Sequence, residues 1–308
     1  MTEADRSALR ARLAAALPPA WRTRFAPAPT GHLHLGHAVN AVYVWSIAQA
    51  FGGSVIVRIE DHDYQRSRRE FATSILDDLA WLGLASGNLA LGLPSPVRQS
   101  DQQQRYESAL DHLSGVAAVY TCRCSRRDVA AQSNEPGERR YPGTCRAASV
   151  AKSETRARRL YLPGVTVAFD DLRHGTQEQR PCLQCGDLLL RDRLGQWTYQ
   201  FAVVVDDMAD GIDAIIRGDD LLESTGRQLL LAKMLGRERP PTLLHHPLLT
   251  HADGSKLSKS NHDTGLSALR EDGWSPARVL GHAAWLGGLQ TLATPRHAYE
   301  LGALWSQR

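Results

Sequence analysis

No apolar stretch in this sequence approaches the roughly 20 residues that a membrane-spanning helix needs, which argues against an integral helical membrane protein. Strong charge of one sign is also missing. The formal net charge is only +3 over 308 residues, so bulk electrostatics do not mark a nucleic-acid binder. Cysteine is scarce and odd in number, five in all, which argues against a disulfide framework. The N-terminus lacks the continuous apolar core of a signal peptide: charges interrupt Leu9, Leu13 and Leu17, whose four-residue spacing suits one helix face. A cytoplasmic chain is therefore expected. Internal repeats, low-complexity tracts and long linkers are absent too. What remains, 43% hydrophobic and 22% charged, is ordinary globular composition, enough for one large or two ordinary domains.

Trp21 to Pro27 reads as a short strand that breaks at Ala26-Pro27-Ala28-Pro29. A helix from about His37 to Phe51 follows and stops at Gly52-Gly53. Val55 to Ile59 is an almost unbroken β-branched run, the pattern of a strand covered on both faces in a parallel sheet. Strand, turn, helix and strand make a βαβ unit. Phe71, Ile75, Leu79 and Leu82 then share one face of a further helix. From Tyr120 to about Leu160 the periodicity fails, and three cysteines sit in a segment too poor in apolar residues to build a core unaided. The α/β pattern resumes at Tyr199 to Val205, read as a strand closed by Asp206-Asp207. A helix follows Gly226, Thr242 to Leu244 lead into a polar loop from His251 to Asn261, and Val279 to Leu286 is helical again. The expected divisions are 1–20, 21–119, 120–160, 161–261 and 262–308.

Chemistry concentrates at two places. His34 and His37 flank Gly36 where the first strand gives way to a helix N-terminus, a point that attracts phosphate through free N–H groups and the helix dipole. Two imidazoles three apart can donate to the same phosphate oxygens as charge builds. Gly36, with no side chain, lets a purine ring lie against the backbone. Late in the chain, Lys256-Leu257-Ser258-Lys259-Ser260 places two lysines on a polar loop able to close over a triphosphate. Either motif alone is weak; helix-start histidines are commonly incidental caps and basic loops commonly just solvated. Cys122, Cys124 and Cys145 look like metal ligands, with zinc the default, while Cys182 and Cys185 form a separate C-x-x-C. Arginines cluster at 123, 126, 127, 139, 140, 156, 158 and 159, either a solvated surface or a local phosphate-binding face.

The two motifs resemble the "HIGH" and "KMSKS" signatures of class I aminoacyl-tRNA synthetases. R-F-A-P-A-P-T-G-H-L-H-L-G-H from Arg24, V-R-I-E-D-H-D from Val57, Y-Q-F-A-V-V-V-D-D from Tyr199 and I-I-R-G-D-D-L-L from Ile215 resemble, more closely, the glutamyl-tRNA synthetase catalytic domain. The likeness runs collinearly from Arg24 to Asn261. It implies a Rossmann-like parallel sheet, a zinc-stapled insertion and a short C-terminal helical region. It further implies glutamate binding by Arg24, Phe25, Ala26, Pro27, Ala28, Glu60, Tyr199 and Arg217. Mg²⁺-ATP is expected at His34, Gly36, His37, Lys256 and Lys259, with His34, His37 and Lys259 catalytic. One structural zinc is expected on Cys122, Cys124, Tyr141 and Cys145.

Two positions depart from the family pattern: Ala28 where a serine is common, and Val203 where full-length members carry asparagine. After Ser260 only forty-eight of the 308 residues remain, too few for an anticodon-binding domain with its connecting helices. These features resemble stand-alone paralogues that attach glutamate to the queuosine base in the tRNA(Asp) anticodon. A monomer is expected. A shortened synthetase charging a tRNA 3′ end, and a non-catalytic zinc-stapled RNA-binding module, remain alternatives. So do two readings of Cys182 and Cys185, as partly buried thiols or as a second metal half-site.

Overall fold

A computed structural model of the chain describes residues 2–131, 140–148, 156–249 and 265–306. Helix α1 (Glu3–Ala16) starts from a reciprocal cap between Thr2 and Asp5 and buries Leu9 and Leu13. Arg6 and Arg12 tie it to the carbonyls of Leu289 and Leu172. Strand β1 (Arg22–Phe25) leads to α2 (Leu35–Phe51) and then to β2 (Ser54–Ile59), which pairs parallel with β1. This is the βαβ unit the periodicity predicts. Apolar almost all round, α2 is buried accordingly, with ten of the eleven residues from Ala38 to Ala48 buried, all but Asn40. α3 (Arg69–Leu82) ends at Gly83, whose φ of +75° is left-handed backbone suited to glycine. The short strand β3 (Val97–Arg98) completes a three-stranded parallel sheet of order β1-β2-β3.

After α4 (Gln103–Val116), strand β4 (Val119–Cys122), helix α5 (Arg126–Ala130) and strand β5 (Ala157–Leu160) form the cysteine-bearing segment. The hairpin β6 (Val167–Asp171) and β7 (Gly175–Gln179) and the one-turn helix α6 (Pro181–Gln184) follow. β8 (Leu188–Arg191) returns to pair with β5, so the antiparallel sheet β4-β5-β8 takes one strand from beyond Leu160. Tyr199 to Val205 is not a strand. It belongs to helix α7 (Tyr199–Ala209), and Phe201 through Val205 are all buried. A continuous apolar run of this length does not distinguish a strand from a buried helical turn, and the contacts override the β preference of three valines.

β9 (Ala214–Gly218), helix α8 (Thr225–Met234) and β10 (Thr242–His246) build a second sheet of order β7-β6-β10-β9, parallel except at the β7 edge. The two parallel sheets abut where β1 lies beside β9, with the Asp213 amide donating to the Arg22 carbonyl at 2.9 Å. Read across this seam, the strand order is β3-β2-β1-β9-β10-β6, a doubly wound Rossmann-like arrangement. α9 (Leu266–Glu271) starts beside the segment leading into α2, its Leu266 amide donating to the Leu33 carbonyl at 2.9 Å, and α10 (Pro276–Leu286) and a 3₁₀ segment, Ala298–Trp305, pack on α2. There Trp305 is buried and its indole N–H reaches Ser46 at 2.8 Å. Among the described residues, no helix is long and apolar enough to cross a membrane.

Candidate active site

In doubly wound sheets, the connections leave neighbouring strands in opposite directions at one point, and the crevice opens at the strand C-termini there. Here that point lies between β1 and β9. A cavity of ≈ 300 Å³ opens at it, lined by Arg24 and Ala26 from the end of β1 and by Ile216 to Gly218 from the end of β9. The start of α2 contributes His34, Gly36 and His37, while Glu60 and Tyr199 close the sides.

The charges are held by a buried network. Arg24 Nε lies 3.1 and 3.2 Å from the two Asp207 carboxylate oxygens. Arg58, fully buried, reaches Asp207 at 2.7 Å, Asp210 at 3.2 Å and Glu60 at 3.3 Å. Burial pushes the Asp207 carboxyl up, but Arg24 and Arg58 outweigh it and hold it below its ordinary value. Burial also dominates at Glu60, and there it wins: its carboxyl sits above the usual range. Burial likewise raises the Tyr199 phenol. Glu60 is fixed from the backbone as well, its amide donating to the Pro27 carbonyl at 3.1 Å.

Arg217 is treated differently. Its Nε meets His245 Nε2 at 2.9 Å, and its two terminal nitrogens donate to Gln228 (2.7 Å), Thr225 (2.9 Å) and the Leu221 carbonyl (3.3 Å). None of these acceptors is a carboxylate. Burial lowers the Arg217 pKa; the residue nonetheless remains a cation at any working pH.

At the α2 N-terminus the two imidazole centroids are 4.0 Å apart. His34 Nδ1 accepts from the Gly36 amide, and His37 Nδ1 accepts from the His34 amide, both at 3.1 Å. A Cβ on Gly36 would sit 2.9 Å from the His34 ring, so any side chain there displaces the histidine. Deeper in, Asn40 contacts His246 at 2.9 Å, and His246 stacks on Tyr43. Burial drops the His246 pKa to about 4, so this ring is neutral near pH 7.

The metal-type cluster lies apart from this cavity. The sulfurs of Cys122, Cys124 and Cys145 all fall within 4.8 Å of one another and could hold a metal ion. The Tyr141 hydroxyl is 3.4 Å from Cys122 Sγ and 4.0 Å from Cys124 Sγ, and it accepts the Cys145 amide at 2.9 Å. Three thiolate donors and a phenol oxygen suit a thiophilic, tetrahedral ion. The Arg159 guanidinium covers the Tyr141 ring at 3.8 Å. Beside the cluster, Arg66, Arg126, Arg156 and Arg193 line a groove. Cys182 and Cys185 are not in the cluster. Cys185 donates to the Pro181 carbonyl at 3.3 Å and packs in a core with Cys182 against it, while its own carbonyl receives the Tyr141 amide.

Eight of the predicted site residues thus share one cavity: Arg24, Ala26, His34, Gly36, His37, Glu60, Tyr199 and Arg217. Three do not line it. Phe25 turns into the core against Trp45, with centroids 5.3 Å apart, and Pro27 and Ala28 are absent from the lining. Lys256 and Lys259 lie outside the described residues. Sequence reasoning missed Arg58, Asp207, Asp171 and His245. For three of them a local signal was present: Arg58 interrupts an apolar strand, and the pairs Asp206-Asp207 and His245-His246 end apolar runs.

A switch-point cavity with paired histidines at a helix N-terminus and buried arginines facing it defines a nucleotide-dependent, acid-activating α/β enzyme. Residues 20–291 match the family model "tRNA synthetases class I (E and Q), catalytic domain", and the chain belongs to that family. Within it, the chain is similar to the glutamyl-Q tRNA(Asp) synthetase of Nitratidesulfovibrio vulgaris, 40% identical over 89% of each chain. The glutamyl-Q tRNA(Asp) synthetase of Symbiobacterium thermophilum is 40% identical over 90% of each. A crystal structure of a glutamate tRNA ligase from Elizabethkingia meningosepticum with its amino acid superposes with a TM-score of 0.71 at 26% identity. It covers 86% of this chain, which spans 60% of that longer one.

Proposed function

We propose that this chain forms glutamyl-adenylate from L-glutamate and Mg²⁺-ATP without RNA, then transfers glutamate to the queuosine base in the anticodon of tRNA(Asp). The observation that carries this reading is the single cavity in which Arg24, Glu60, Tyr199 and Arg217 face the paired histidines of α2. Two guanidiniums suit the two carboxylates of glutamate: Arg24, held through Nε among the described residues, can present its terminal nitrogens as a planar pair of donors, and Arg217, whose N–H groups are mostly taken by protein acceptors, faces the cavity as a cation. Glu60 accepts from the α-ammonium, and Tyr199 offers its hydroxyl. An α-carboxylate oxygen attacks the α-phosphorus, and pyrophosphate departs with its Mg²⁺. His34 and His37 stabilise the phosphate charge at the helix N-terminus, and Lys256 and Lys259 stabilise the leaving pyrophosphate. A hydroxyl of the cyclopentenediol of queuosine then attacks the activated carbonyl, and AMP leaves.

The same proposal gives Cys122, Cys124, Cys145 and Tyr141 one structural zinc. The groove lined by Arg66, Arg126, Arg156 and Arg193 takes the RNA backbone, with Arg127 and Arg140 on the same segment. Action on tRNA as a monomer in the cytoplasm completes the reading. The test is mass analysis of tRNA(Asp) after reaction with labelled glutamate and nuclease digestion. Label on the queuosine nucleoside is expected. Label on the 3′-terminal adenosine means a shortened tRNA-charging enzyme, and no glutamate-dependent pyrophosphate exchange means a non-catalytic module.

A further inference from the structure

Arg24 and Arg58 are balanced by Asp207, Asp210 and Glu60. Arg217, only 4% exposed, is held among the described residues by neutral acceptors alone. Its Nε partner, His245, is fully buried; its shortest contacts are to two groups that cannot change roles, and the Thr225 hydroxyl lies farther off, 3.3 Å from Nε2. Asp171 Oδ2 lies 2.8 Å from His245 Nδ1 and 3.0 Å from the His245 amide. An ionised carboxylate only accepts, so the ring proton belongs on Nδ1. A guanidinium only donates, so Nε2 must present its lone pair to Arg217. A cationic or Nε2-protonated ring would set two N–H groups against each other at 2.9 Å. The Asp171 carboxylate is itself anchored, its Oδ1 accepting the amides of Arg173 and His174 at 2.9 Å each.

We infer that Asp171 and His245 are positioning residues that fix the Arg217 guanidinium in the amino-acid site while leaving its positive charge unneutralised. The relay crosses the sheet from β6 through β10 to β9. A carboxylate placed directly on Arg217 would hold it equally well but would cancel the charge that a substrate anion needs. A neutral imidazole accepts the hydrogen bond without that cost, and Asp171 sets which nitrogen does so. This inference rests on Arg217 facing a carboxylate of glutamate.

The test is steady-state pyrophosphate exchange by the full chain, with the KM for glutamate and for ATP measured separately. In His245→Gln the carboxamide oxygen reaches the Nε2 position; in His245→Asn it stops at Nδ1. We expect His245→Asn to raise the glutamate KM at least about tenfold, the scale of one lost hydrogen bond to a charged group, with the ATP KM nearly unchanged. His245→Gln should stay within about threefold of the wild type on the same scale. Equal effects of the two variants, or a parallel rise in both KM values, overturn the relay. Arg217→Ala separates the layers. If it raises the glutamate KM while both His245 variants behave as wild type, the relay alone is wrong. If it leaves the glutamate KM unchanged, the assignment of Arg217 is wrong. A measurement on the unmodified protein covers the case of a variant that does not fold: ¹⁵N–¹H correlation of the imidazoles. A proton on Nδ1 of neutral His245 is expected, and a proton on Nε2 overturns the inference.

Discussion

At the scale of single residues, the molecule buries charge where it needs charge and tolerates it elsewhere at a cost. Arg24 is only 5% exposed, and its one ionic partner among the described residues, Asp207, is shared with Arg58. Arg24→Ala therefore leaves Asp207 paired, so the chain should fold, while the proposed glutamate site loses a charged donor. The glutamate KM should rise roughly ten- to hundredfold, as for a lost charge-assisted hydrogen bond. Binding within threefold of wild type would show that Arg24 reads no substrate carboxylate. Asp78 on α3 illustrates the opposite case. It is buried, its Oδ2 has no partner among the described residues, and burial raises its pKa from 3.8 to about 6. His32 and Arg270 pull the other way without prevailing. A raised folded pKa favours the fold most when the group is protonated, below its unfolded value. That contribution fades as pH climbs through about 6. Asp78→Asn should therefore raise the melting temperature by a few degrees at pH 8, reflecting about 2 kcal/mol, and have little effect at pH 4. Equal melting shifts at both pH values would sink the argument.

At the scale of elements, legibility followed punctuation. β1, α2 and β2 were readable because Pro29, Gly31 and Gly52 punctuate them and because a βαβ unit has few alternatives. α7 was not, since Phe201 to Val205 is a short continuous apolar run rich in valine, which periodicity alone cannot assign to helix or strand. The cavity residues on β1, α2 and β2 fell within motifs, whereas Asp171 and His245 come from strands far apart in sequence. Only the sheet order brings them together. The cysteine segment was legible as a metal-type site from spacing alone, but its sheet needs β8, which no local pattern ties to it. A structural ion there should hold Tyr141, and through it the Arg159 stack and the arginine-lined groove, in place. The double variant Cys122→Ser/Cys145→Ser should lose its zinc equivalent by metal analysis. It should also lose transfer to RNA before it loses pyrophosphate exchange, because the cluster shares no lining residue with the cavity. A retained zinc equivalent would mean that other residues hold the ion. Equal loss of both half-reactions would mean that the segment supports the catalytic sheet itself.

At the scale of the whole molecule, the seam between β1 and β9 does two jobs. It joins two three- and four-stranded sheets into one, and it places the C-terminal ends of both strands around the cavity. Arg24 comes from one side of the seam and Arg217 from the other, and Asp207 of α7 ties the first to Arg58 of β2. Each of these groups is fixed by protein contacts already present in the isolated chain: Arg24 by Asp207, Glu60 by Arg58 and Pro27, Arg217 by His245, Gln228 and Thr225. A site whose charged groups are already oriented spends no binding energy of a second substrate on assembling them. The chain should accordingly catalyse glutamate-dependent exchange of pyrophosphate into ATP with no RNA in the assay, at a rate that added tRNA(Asp) changes by less than about threefold, under 1 kcal/mol in the barrier. Strict dependence of the exchange on tRNA would show that an element of the site moves into place only when RNA binds. That element would then have to be sought outside the buried network, since Arg24, Glu60 and Arg217 have no open position to move from.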